Sequence, residues 1–203
     1  MLRSVVLIGI FSLLLEGLAF SNTYGLKVGE KAPAIVTQDV EQKGVDTVAL
    51  AKKGPVVLVF YRGGWCPICN RQLQKLEKDV APKLGKYDAT MIAISVDRRG
   101  EGQKTNLKFN QRFRVVSDPD LKILTPYNVV YDVPPSMVKK YVDYGIDLEK
   151  ASGKKHHKIA VPAVFVIDGK GVIRYAFADE NYKVRAQNKD ILQALQSLQA
   201  PKL

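Results

Sequence analysis

The run VVLVFY, Val56 to Tyr61, constrains the fold more than any other stretch of the chain. Six consecutive apolar residues, rich in β-branched and aromatic side chains, suit a strand that is buried on both faces of a sheet. A helix should follow. From Pro67 to Ala81 the apolar residues Cys69, Leu73, Leu76 and Val80 recur at helical spacing, Pro67 suits a first helical turn, and Pro82 marks the stop. Met91 to Val96 is a second buried run, closing at Asp97 before a charged, glycine-containing loop, Arg98 to Gln103. Strand, helix and strand make a βαβ unit with a right-handed crossover.

Further along, Val164 to Ile167, the turn Asp168-Gly169-Lys170-Gly171, and Val172 to Phe177 read as a hairpin. Ile191, Leu192, Leu195 and Leu198 then define an amphipathic C-terminal helix. Asn128 to Ala160 is harder to read: Pro134 and Pro135 punctuate it, Met137 to Val142 suits a short helix, and no strand is obvious. The stretch around 128–160 is expected to be an insertion packed over one end of the sheet. The expected class is α/β, a central mixed β-sheet flanked by helices.

The chain has 203 residues, 46% hydrophobic and 25% charged, which fits one globular domain and excludes a disordered or multispanning protein. Its first residues differ from the rest. Arg3 precedes the apolar run Val5 to Leu15, and Ala19-Phe20-Ser21 places small residues two apart, as a signal-peptidase site does. Residues 1–21 are therefore expected to be a signal peptide and residues 22–203 a single domain, exported to the periplasm or secreted. An uncleaved membrane anchor is the alternative, although Glu16 interrupts the run short of the about 20 apolar residues that a span needs. The net charge of +11 is spread along the chain without a nucleic-acid motif, so no nucleic-acid partner is expected.

The two cysteines of the chain, Cys66 and Cys69, stand in W-C-P-I-C, where the strand gives way to the helix. A thiolate is the reactive form of cysteine, and a helix N-terminus or a neighbouring cation favours it. Cys66 sits at the helix start, with Arg62 four residues before it, so Cys66 is expected to ionise more easily and to be the more exposed. Cys69, one turn in, should face inward and act second, resolving a mixed disulfide formed on Cys66. C-x-x-C beside a βαβ pattern is a thioredoxin-type signal. Zinc would need two more ligands, and the two histidines, His156 and His157, are adjacent and tend to point apart, so neither a metal nor another cofactor is expected. A purely structural staple would close too short a loop to stabilise the fold much. Trp65 either flanks the active surface or caps the core.

Together, GPVVLVFYRGGWCPICNRQL, MIAISVD and VPAVFVIDGKGVIRYAF resemble the peroxiredoxin-like branch of the alkyl hydroperoxide reductase and thiol-specific antioxidant family, with KVGEKAPAI, Lys27 to Ile35, as the family's entry segment. The resemblance covers most of residues 27–199 and implies a thioredoxin-like fold and antioxidant or disulfide-reducing chemistry. Peroxiredoxins carry P-x-x-x-[TS]-x-x-C. Aligning that cysteine with Cys69 places Arg62 at the Pro position and Cys66 at the Thr position, and the family's supporting Arg corresponds to Pro162. Val161-Pro162 instead resembles the cis-proline that lies against the thioredoxin C-x-x-C.

These features imply an exported thiol-disulfide oxidoreductase, with Cys66 attacking, Cys69 resolving, Pro162 shaping the substrate surface, and Arg62, Trp65 and Pro67 supporting the pair. Its substrate would be a protein disulfide, and its reductant a thioredoxin-like or membrane-bound thiol protein. The alternative within the family is a peroxidase acting on hydrogen peroxide or alkyl hydroperoxides, with Arg62 in place of the missing guanidinium. Arg62 has a second reading as a surface charge at a strand end. A non-catalytic binding module on the same fold is the alternative of another class.

Overall fold

In the computed structural model, which describes residues 24–109 and 112–199, the VVLVF run is the middle strand of a five-stranded sheet. The chain opens with β1 (Val36–Gln38), β2 (Gly44–Asp46) and α1 (Thr47–Ala51), then enters the sheet as β3 (Val56–Phe60). Next come α2 (Pro67–Asp79), a 3-10 turn (Ala81–Tyr87), β4 (Thr90–Ser95), α3 (Arg99–Lys108) and β5 (Arg114–Ser117). The middle segment holds β6 (Val130–Asp132), α4 (Pro135–Asp143), α5 (Leu148–Ser152) and β7 (Lys158–Ala160), and the chain closes with β8 (Ala163–Ile167), β9 (Ile173–Ala178) and α6 (Asn188–Ser197). The expected signal segment, residues 1–21, lies outside the described residues.

Sheet order is β5-β4-β3-β8-β9. β3 runs parallel to β4 and antiparallel to β8, with Leu58 opposite Ile92 on one side and Phe165 on the other. The sheet is thus mixed, as expected. Side chains alternate across a strand, so β3 feeds two cores. Val56, Leu58 and Phe60 pack with Ile92, Ile94 and Phe165 on one face. Val57, Val59 and Tyr61 pack on the other with Leu73 and Leu76 of α2, Ile191 and Leu195 of α6, and both cysteines. The strand points its end at the helix that carries the cysteines.

Two departures from the sequence reading have clear causes. The expected loop from Arg98 to Gln103 is mostly α3. That helix buries Gly102, Thr105 and Asn106 rather than an apolar stripe, and a Cβ on Gly102 would come within 2.7 Å of Val40. Close packing through small and polar residues leaves no hydrophobic period to read. The middle segment has its helix near Met137 to Val142, as α4, but it also contains strands: β6 and β7 pair antiparallel across two intervening helices. Val129, Val133, Leu148, Ile159 and Ala160 from this segment are buried in the first core, so it completes the core as well as covering it.

Leu76 is fully buried between α2 and the sheet. Leu76→Ala is expected to cost about 2–5 kcal/mol, the usual range for a buried Leu-to-Ala change. Urea unfolding followed by circular dichroism would show a lower midpoint at unchanged slope. A loss under about 1 kcal/mol would contradict this packing.

Candidate active site

The strand-to-helix junction is a tight turn that only glycine can make. After Tyr61, whose N–H donates to the Ile94 carbonyl at 3.0 Å, the chain passes Arg62 and turns through Gly63 at φ +154°. A Cβ on Gly63 would overlap the Trp65 indole nitrogen and approach Asp97 Oδ1 to 2.8 Å. The turn is held by Cys66 N–H to the Gly63 carbonyl at 3.1 Å and by Asn70 Nδ2 to the Gly64 carbonyl at 2.8 Å. Cys66 is then the N-cap of α2 (φ −86°, ψ 113°), with Pro67, exposed, opening the helix. Its Sγ accepts a hydrogen bond from the Cys69 N–H at 3.4 Å. A cysteine sulfur here occupies the position that a Ser or Asp oxygen usually takes at a helix start.

Both cysteines are free thiols, 2% exposed for Cys66 and fully buried for Cys69. The expected order of exposure holds, but Cys66 is not on an open surface. Trp65 and Ile68 pack against the core cluster that contains it. The expected order of ionisation also holds. The hydrogen bond from the Cys69 thiol, then the Cys69 N–H, then the charges of Arg62 and Arg185 pull the Cys66 thiol down to about 6 against the opposing effect of burial. Burial and its hydrogen bond to Cys66 hold Cys69 well above the usual thiol range. The two shifts run in opposite directions, so Cys66 is the more acidic sulfur of the pair.

Arg62 is buried, not a surface charge. Its guanidinium lies 4.3 Å from the Tyr182 ring, 5.3 Å from Trp65 and 5.4 Å from Tyr141, and donates to the Tyr141 hydroxyl. Stacking of this kind suits the weakly hydrated guanidinium. Trp65 is half-buried and tilted on Tyr141 at 5.6 Å. Pro162, in the link between β7 and β8, lines a cleft of about 470 Å³ with Arg62, Tyr141 and Tyr182. The Val161–Pro162 bond is trans, since there is no cis peptide bond among the described residues. The likeness to the thioredoxin cis-proline therefore extends to placement near the site and not to geometry. His156 and His157 serve elsewhere, in contact with the Pro119 carbonyl and Glu149.

Two residues escaped the sequence reading. Arg185, ahead of α6, donates from Nη2 to Cys69 Sγ at 3.5 Å and from Nη1 to Gln72 Oε1 at 3.2 Å. It stands in a polar stretch with no motif around it, so no local signal marked it. Asp97, at the end of β4, is 1% exposed and accepts the Gly64 N–H at 2.7 Å through Oδ2. Burial pushes its carboxyl up to about 6, and the charges of Glu101 and Cys66 act in the same direction. A lone acid at the carboxyl end of a core strand was the available signal, because α/β sheets place their sites there.

The AhpC/TSA family model matches residues 28–176. The thiol:disulfide interchange protein DsbE of Haemophilus influenzae is 30% identical over 162 residues, covering 79% of this chain and 71% of the relative. The thiol-disulfide oxidoreductase ResA of Bacillus cereus is 27% identical over 111 residues, covering 54% of this chain and 62% of the relative, so the match spans less than two thirds of that protein. Among solved structures, the peroxidoxin BcpB from Mycobacterium tuberculosis superposes with a TM-score of 0.65 at 18% identity, covering 88% of this chain and 99% of the other. That likeness shows the thioredoxin-like peroxiredoxin fold.

The titration of Cys66 is directly measurable. Alkylation of the reduced protein by iodoacetamide, with the modified cysteine located by mass spectrometry, should occur first at Cys66 and follow an apparent pKa near 6. Cys69→Ala removes the largest cause of that depression, so the apparent pKa should climb toward the usual thiol range of about 8.5. An unchanged profile in the variant would refute the hydrogen bond from Cys69 as the cause.

Proposed function

We propose that this chain, which belongs to the AhpC/TSA family, is an exported thiol-disulfide oxidoreductase acting through Cys66 and Cys69. The observation that carries the reading is the asymmetry of the pair. Cys66 receives two hydrogen bonds at a helix start and ionises easily, whereas Cys69 is buried and keeps its proton. In the forward step the Cys66 thiolate attacks a sulfur of a protein disulfide, that S–S bond breaks, and the first substrate thiolate leaves. Cys69 then loses its proton and attacks Cys66 Sγ, which releases the second substrate thiolate and leaves a Cys66–Cys69 disulfide. Two electrons pass to the substrate. Arg185, at 3.5 Å from Cys69 Sγ, stabilises that sulfur as its proton departs. A thioredoxin-like or membrane-bound dithiol protein restores the reduced pair.

The peroxidase reading has one observation in its favour. Arg185 places a guanidinium beside Cys69, the cysteine that the family resemblance aligns with the peroxidatic position. A peroxidase needs positioned donors for the departing oxyanion. The raised, buried Cys69 thiol opposes attack from that position. In its remaining form Cys66 is oxidised to a sulfenic acid, which condenses with Cys69.

Competition decides between them. The reduced protein, residues 22–203, is offered insulin disulfides and hydrogen peroxide together, with free-thiol loss as the readout. The oxidoreductase reading expects insulin reduction to dominate, Cys66→Ser to abolish it, and Cys69→Ser to accumulate a mixed disulfide on Cys66. Preferential loss of thiols to peroxide, at rates above those of an ordinary small thiol, would transfer the assignment to a peroxidase.

A further inference from the structure

Four buried polar atoms have no hydrogen-bond partner among the described residues: the Tyr61 hydroxyl, Arg185 Nε, Trp65 Nε1, a donor, and Asp97 Oδ1, an acceptor. Leaving such atoms unpaired away from water is destabilising. The last two, Trp65 Nε1 and Asp97 Oδ1, border the position that a Gly63 Cβ would fill, so they are close neighbours across the glycine. Both are also sealed from solvent, so an incoming ligand reaches neither unless the indole moves first. The two are chemically complementary, and both border the space that a side chain at Gly63 would fill.

We propose that Asp97 is a positioning residue of the redox centre and that Trp65 is its latch, the indole N–H closing onto Asp97 Oδ1 in a second arrangement of the turn. This inference deepens the oxidoreductase reading and rests on it. Trp65 stands between two clefts. On one side it packs with Arg62 and Tyr141, which wall the cleft beside Pro162. On the other it shares with Asp97 a cleft of about 480 Å³ lined by Thr105, Ile146 and Ala151. Closing the latch draws the indole toward Asp97 and uncovers the Arg62 and Tyr141 wall next to Cys66, where the dithiol protein that reduces the oxidised pair has to approach. Asp97 Oδ2 meanwhile keeps the Gly64 N–H, which anchors the turn in both arrangements.

The state of the cysteines biases the latch. A hydrogen bond to a carboxylate is about twice as strong as one to a neutral acceptor, so the latch favours ionised Asp97. The Cys66 thiolate discourages that ionisation, and so does Glu101 from α3. Lys104, Lys108 and Lys150 with Asp147 complete the charged lining of the cleft, and Arg62 lies on the opposite side of the indole. Forming the Cys66–Cys69 disulfide removes the thiolate charge and so favours ionised Asp97 and the closed latch.

Trp65 is the single tryptophan of the chain, which makes the test direct. In ¹⁵N-labelled protein, residues 22–203, the one indole N–H resonance is followed from pH 5 to 8 in the reduced and oxidised forms of the wild type and of Asp97→Asn. The expected result is a downfield shift and slowed solvent exchange as pH rises through about 6, larger in the oxidised wild type and without pH dependence in Asp97→Asn. The same variant should lower the apparent pKa of Cys66 alkylation, because a neighbouring negative charge is gone. If Asp97→Asn fails to fold, Trp65→Phe keeps the aromatic packing and removes the donor alone, and it should abolish the redox dependence of the chemical shifts at Gly64 and Asp97. An indole resonance in the wild type that neither titrates nor responds to oxidation would overturn the latch. Insulin reduction measured on the same samples separates the two ideas: a titrating indole without reductase activity defeats the functional reading alone, and activity with a silent indole defeats the latch alone.

Discussion

The redox centre depends on one short-range arrangement, the Cys69 N–H and thiol both directed at Cys66 Sγ across the first turn of α2. Everything that makes this possible lies behind it in the chain. β3 is buried on both faces and hydrogen-bonded to neighbours on each side, so its direction is fixed. The Gly63-Gly64 turn reverses the chain within the reach of Asp97 and Asn70. Pro67 opens the helix where its missing N–H costs nothing. A helix begun one residue later would leave Cys66 in the loop and would turn Cys69 away from it.

Two guanidiniums flank the pair without a carboxylate partner among the ion pairs of the described residues. Arg62 is held by three aromatic rings and the Tyr141 hydroxyl, while Arg185 donates to Gln72 and Cys69 through its two terminal nitrogens. Pairing either with an acid would cancel the field that draws the Cys66 thiol down. Aromatic stacking holds a guanidinium in place and leaves its charge available. This also explains the role of α4, which has no buried residue of its own yet supplies Tyr141 to the cage.

What was legible in the sequence follows from how local each signal is. β3, β4, α2 and the hairpin of β8 and β9 announce themselves through runs or periods of apolar residues with ends within one or two residues of those observed, and α6 shows its apolar period without marking its ends, whereas β5 is too short to show. α3 was missed because it packs through Gly102 and Thr105, and β6 and β7 because three-residue strands paired across two helices carry no local pattern. The site divides in the same way. Cys66 and Cys69 sit in a motif, whereas Arg185 reaches Cys69 from 116 residues away. Arg62 was found by position, but its burial depends on Tyr141 and Tyr182, which only the tertiary fold delivers.

The lowered Cys66 thiol has less effect on speed or driving force than its size suggests. Shifting a thiol from about 8.5 to about 6 raises its thiolate fraction at pH 7 roughly thirtyfold. Intrinsic nucleophilicity falls over the same shift by about tenfold, which leaves a gain of only a few-fold. The stabilised thiolate also favours the reduced pair by about 1.4 kcal/mol at pH 7, or about 30 mV, against the roughly 150 mV that separates thioredoxin from DsbA. The effect on the order of events is much larger. In the proposed reaction, the lowered Cys66 thiol and the raised Cys69 thiol make Cys66 the attacking sulfur and Cys69 the resolving one. That order lets a buried pair form one mixed disulfide and resolve it from within.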